Sequence, residues 1–218
     1  MKATASVVLG LFLALVATPA HAVVLSDYVG YGFETGGFLP SDPGDELVFT
    51  AVSTWVDPVT GADLGNVEVT IYVYGLISDG QSVDGSGNTI TTYTGGKLEM
   101  YLDPSQNADW GINPPNATSP TTFSDGNLLF EGDFLDFVVA IQPDGSGVYE
   151  GNLDGVAGII LQNLCSSCGY TWGGAWTADA GAQIPEGYDL QIDGKFDVLE
   201  SVSQDESSWG SLKADYQR

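Results

Sequence analysis

Glycine and proline interrupt this chain every few residues, and no stretch between them carries a sustained helical stripe. The sequence holds 29 glycines and 10 prolines in 218 residues. Between them stand short runs of β-branched and aromatic residues that alternate with polar ones. Such punctuation points to an antiparallel all-β domain. The spacing predicts roughly eight to ten strands, which suits a two-sheet β-sandwich of jelly-roll connectivity.

The first strand is expected in Val23 to Phe33, and a second in Glu46 to Val56. Both faces of the second are largely apolar, so it should be central. Asn66 to Leu76 follows, with Val67, Val69, Ile71 and Val73 on one face. The two form a hairpin across Thr60-Gly61-Ala62-Asp63. Ser78 to Asn88 reads as a polar loop. Thr89 to Thr94 and Gly96 to Asp103 read as short strands, and Pro104 to Asp125 as a long loop that is either functional or packed down by its own side chains. Asn127 to Gln142 is one bent strand or two joined by a bulge near Gly132. Val148 to Leu164 is mostly strand, Cys165 to Gly174 irregular, Tyr188 to Val202 strand, and Trp209 to Tyr216 a terminal strand.

Residues 1–22 read as a signal peptide: Lys2, an apolar run, then Ala20-His21-Ala22. A single domain over 23–218 then remains. It carries all 29 acidic residues against Lys97, Lys195, Lys213 and Arg218, a net charge near −25. The only histidine, His21, leaves with the leader. No Ser-His-Asp or Cys-His nucleophilic site can form without it, nor any histidine-bearing zinc site. The charge excludes nucleic acid as a partner and repels an anionic membrane surface. Beyond the leader no apolar stretch is long enough to span a membrane as a helix.

Cys165 and Cys168 form Cys-Ser-Ser-Cys. An oxidising compartment favours a short disulfide; a redox pair needs a following helix, which Gly169, Gly173 and Gly174 oppose, and a metal site lacks a second ligand pair. Glu131, Asp133 and Asp136 are the densest strand carboxylates, and a solvated face competes there with a cation site or a catalytic pair. Acid-rich turns suit calcium, a hard ion that takes oxygen ligands. The candidate ligands are Asp42, Asp45 and Glu46; Asp79, Asp84 and Asn88; Asn152 and Asp154; and Asp189, Asp193 and Asp197. None has the spacing of an EF-hand loop. Trp110, Tyr170, Trp172 and Trp176 are candidate platforms for stacking on sugar rings, against the alternative that they cap the ends of the sandwich. Trp55 reads as core.

Gly95-Gly96-Lys97-Leu98-Glu99-Met100-Tyr101-Leu102-Asp103-Pro104, an Asn/Pro/Thr loop, and Thr122-Phe123-Ser124-Asp125-Gly126-Asn127-Leu128-Leu129 together resemble exported bacterial proteins of the PEP-CTERM type. The chain departs from that type at Ser211 to Arg218, where no Pro-Glu-Pro motif stands. The resemblance implies a surface or matrix protein of a Gram-negative bacterium, with no catalytic residues to carry over. The expectation is therefore a secreted, non-catalytic structural protein of the cell surface or matrix. It would self-associate into polymers by strand addition, with calcium screening the charge. A module that binds extracellular polysaccharide is the alternative, and a carboxylate-based glycan hydrolase or lyase the third reading.

Overall fold

A computed structural model describes residues 21–111, 121–143, 146–164, 168–178 and 183–200. Nine strands carry the fold: β1 (His21–Glu34), β2 (Glu46–Val56), β3 (Glu68–Val83), β4 (Thr89–Thr94), β5 (Lys97–Asp103), β6 (Asn127–Ile141), β7 (Ser146–Ala157), β8 (Gly169–Thr177) and β9 (Leu190–Glu200). Every pairing is antiparallel, and each strand lies beside its neighbours in the chain except that β4 and β5 do not pair with each other. β4 and β5 share one position in the wall. Both pair with β3 on one side and β6 on the other. The break between them falls at Gly95 and Gly96, which adopt φ 71° and 95°. β9 then returns to β1, from Ala22 opposite Leu199 to Gly32 opposite Leu190.

The result is a closed up-and-down barrel of eight strand positions. It replaces the expected two-sheet sandwich and its jelly-roll connectivity. Alternation shows which residues face inward, and that pattern is the same in a sandwich and in a barrel. Closure depends on backbone approach at glycines. A Cβ at Gly174 would lie 2.1 Å from the Asp193 carbonyl oxygen, and one at Gly147 2.1 Å from that of Ala140. These positions let the strands coil tightly enough to meet. Closure also removes the strand-addition reading: each described strand has a hydrogen-bonded neighbour on both sides.

The lumen is packed, not hollow. Trp172 is fully buried and sits 5.2 Å from Tyr28, 5.1 Å from Phe49 and 4.8 Å from Tyr149, ring centre to ring centre. Val69, Ile71, Val73, Leu98, Met100, Phe130, Phe137 and Phe196 fill the space around this aromatic group. A second apolar layer lies outside the barrel. Trp110 and Phe123, from the β5–β6 connection, pack on each other, and Trp110 meets the outward Tyr31 of β1. Tyr188 joins Tyr31 and Phe33 there. This cover explains why β2 is buried on both faces from Leu47 to Ala51.

Three elements differ from expectation. β3 runs on through Val83, so much of the expected Ser78–Asn88 loop is strand paired with β4. β8 occupies most of the segment expected to be irregular, because Gly173 and Gly174 sit within a paired strand. β7 ends at Ala157 and gives way to a 3-10 turn at Ile159–Gln162. The expected terminal strand from Trp209 to Tyr216 lies outside the described residues.

Candidate functional site

One row across the wall sets the shape of the site. Tyr28 in β1 lies opposite Gly194 in β9, Gly194 opposite Gly174 in β8, and Gly174 opposite Tyr149 in β7. Inside the barrel the two glycines leave a bare strip of sheet. The tyrosines lean over it from both sides until their hydroxyls meet at 2.9 Å, and Tyr28 also reaches the Gly173 carbonyl at 3.2 Å. Burial raises both phenols above their ordinary pKa.

On the outside of the same strands lies a groove of about 750 Å³. The neighbouring outward row runs Val138, Glu150, Gly173, Lys195 across β6 to β9. Gly173 has no side chain, so the surface dips between Glu150 and Lys195. Ala140 and Val148 extend the apolar floor, and Thr171, Asp193 and Asp197 stand on the rim. Burial pushes the Asp197 carboxyl up, with Lys195 opposing that shift. Asp193 and Asp197 are four residues apart on one strand face, about 13 Å at Cα, with Lys195 between them. Glycosidase carboxyl pairs stand about 5–9.5 Å apart. The arrangement suits hydrogen bonding to a ligand better than acid–nucleophile chemistry.

No family model, curated protein or solved structure matches this chain. Its chemistry has to be read from its own surface. Outward strand positions carry Glu99, Glu131, Asp133, Glu150 and Asp193. A barrel that crosses a membrane places apolar side chains there instead. Among the described residues no helix is long and apolar enough to cross a membrane.

The mouth at the β1–β2 end holds a buried polar cluster that the sequence reading missed. Glu34 is 4% exposed. Its carboxylate accepts from Ser41 Oγ at 2.5 Å and from Tyr93 Oη at 3.3 Å, and Ser41 also bonds Ser78 at 2.7 Å. The Glu34 amide donates to Asp189 Oδ2 at 2.8 Å. Burial raises the Glu34 carboxyl to about 7, against the two hydroxyl bonds that lower it, and Asp45 and Asp189 add to the rise. The folded state keeps this proton, whereas the unfolded chain releases it near 4.5. Stability should therefore fall as pH climbs from about 4.5 through about 7, and level off above. Allowing for solvent screening, the loss is about 2 kcal/mol. Urea unfolding at pH 5 and pH 8 measures it, and Glu34→Gln should shrink the difference by that amount. An equal difference in the variant would assign the pH dependence to other carboxylates.

The expected calcium ligands are dispersed. Asp42 and Asp45 share one turn, where Asp45 Oδ2 accepts from the Asp42 amide, but Glu46 is directed to the Gly75 amide at 2.8 Å. Asp79 accepts from Thr92. Asp84 closes its own turn on Ser86 and Asn88. Asp189 serves the mouth, apart from Asp193 and Asp197 on the outer wall. Asn152 is bonded to Asp136, and Asp154 stands opposite Asp133. Glu131 and Asp133 clamp Lys97 at 2.5 and 2.9 Å, so this face is ion-paired. No group of three or more His, Cys, Asp or Glu among the described residues could hold a metal ion.

The candidate sugar platforms are also relocated. Tyr170, Trp172 and Trp176 face the lumen and are buried, so none offers a ring to a glycan. Trp110 is half-buried in the outer layer, with its indole N–H on the Thr50 carbonyl at 3.4 Å. Trp55, expected in the core, is 43% exposed. Its position near the end of β2, beyond the outer apolar layer, accounts for this. Cys168 is disulfide-bonded and packs against the core, while Cys165 lies outside the described residues.

Proposed function

We propose that this barrel is a non-catalytic binding protein that works outside the cell and takes a polysaccharide in its outer groove. The groove is the observation that carries the reading: an apolar floor opened by Gly173, ringed by Glu150, Thr171, Asp193, Lys195 and Asp197. Sugars present apolar C–H faces and many hydroxyls, and such a surface offers partners for both. The acidic chain repels polyanions, so the ligand is a neutral or amino-sugar polymer. The leader-like N-terminus and the resemblance to exported surface proteins support the location.

Affinity electrophoresis of the full chain through gels containing neutral, cationic or anionic polysaccharide tests this. Retardation is expected in neutral or amino-sugar gels. Val148 is 51% exposed, so Val148→Arg can fill the groove without threatening the fold. It should weaken binding about tenfold, or about 1.4 kcal/mol. Unretarded migration in all three gel classes would reject the reading.

A further inference from the structure

At the foot of the β5–β6 connection, Glu68 of β3 lies directly opposite Asp103 of β5. Asp103 is 1% exposed. Its Oδ1 accepts the Ser105 amide at 2.8 Å, but its Oδ2 is buried and makes no hydrogen bond among the described residues. The neighbour of that carboxylate is the carboxylate of Glu68, with which it is in side-chain contact. Glu68 Oε1 in turn accepts the Ala108 amide at 2.7 Å. Two acceptor groups thus meet with no donor between them.

Such a contact needs a positive charge or a shared proton. The Ser105 and Ala108 amides each donate to one oxygen of the pair, which leaves Asp103 Oδ2 buried and without a donor among the described residues. The described lysines are committed elsewhere: Lys97 to Glu131 and Asp133, and Lys195 towards Asp27 at 3.7 Å. What the pair lacks is a hard cation with oxygen ligands.

We propose that Glu68 and Asp103 hold a calcium ion at the base of the 104–126 connection, with water completing the oxygen shell. The site is separate from the groove and does not depend on the polysaccharide reading. Calcium tolerates irregular oxygen shells, whereas magnesium dehydrates reluctantly. Two carboxylates place the affinity with weak extracellular sites, roughly 10⁻⁴–10⁻³ M. The ion would pin the connection that carries Trp110 and Phe123 to the outer wall.

The full chain, stripped with chelator, is titrated with calcium chloride alone while its melting temperature is followed. At tenfold excess over Kd the rise should be about 3–6 °C, and magnesium at the same concentration should give less. Asp103→Asn and Glu68→Gln should each abolish the calcium response. Terbium provides a readout that needs no variant to fold with altered carboxyls. Its emission on tryptophan excitation should appear with the wild type, fall when calcium is added, and be lost in Trp110→Phe. A wild-type melting temperature indifferent to calcium would overturn the site, as would equal shifts in wild type and both carboxyl variants. Glu68→Gln that melts higher without calcium, beside a calcium-blind wild type, would instead assign the contact to a shared proton.

Discussion

Trp172→Ala should cost the barrel about 4 kcal/mol, the largest loss expected from a single side chain. The ring is fully buried and packs on Tyr28, Phe49, Phe137 and Tyr149 at once. Those neighbours project from strands of a closed wall and cannot collapse into the space, so a cavity remains. Trp172→Phe should cost less than about 1.5 kcal/mol. It keeps much of the aromatic surface and removes an indole N–H that makes no hydrogen bond among the described residues. Equilibrium urea unfolding of the two variants distinguishes the contributions. A loss under about 1 kcal/mol for the alanine variant would mean that the lumen repacks freely, contrary to a rigid wall.

Gly194→Ala, an addition of one methyl group, should cost about 3 kcal/mol. A Cβ there would lie 2.3 Å from the Gly173 carbonyl oxygen, 2.5 Å from the Tyr28 hydroxyl and 2.8 Å from that of Tyr149. The tyrosines can rotate away, at the loss of their mutual hydrogen bond, but the carbonyl belongs to the paired strand. The expected fall in melting temperature is about 9 °C for a domain of this size. Gly85→Ala is the control, since a Cβ at that turn meets nothing within 4 Å. Equal melting temperatures for the two variants would show that the β8–β9 spacing is adjustable and that glycine is not required for closure.

Much of the strand content was legible because alternation is a local signal. β2 and β4 match their expected bounds, and the bulge foreseen near Gly132 is present where β6 pairs with β7. Val69, Ile71 and Val73 face inward as expected. Closure was not legible. It rests on which strand meets which, and the β1–β9 pairing joins residues at opposite ends of the sequence. The tryptophans of β8 were misplaced for a related reason. Gly173 and Gly174 look like a loop in sequence, yet they are paired strand positions whose missing side chains shape the outer groove and the inner tyrosine row. The direction of the acidic side chains was not legible either: acid density was clear, but Asp84 closes its own turn, Glu46 reaches the Gly75 amide and Asp189 serves the mouth. Glu68 and Asp103 were hidden because they sit 35 positions apart and meet only through the β3–β5 register.

The pairing of β1 with β9 also sets the order in which the molecule can be made. Each internal strand finds a partner soon after it emerges, since its neighbours are next in the chain. Residues 22–32 must wait for 190–199 before their second edge is covered. The last loop to close is the longest, and its entropy cost falls on a single step. Until then β1 and β9 form the two lips of an open, curled sheet whose aromatic inner face is exposed to water. The same contact that leaves the finished barrel without an edge makes its assembly a late, all-or-nothing event.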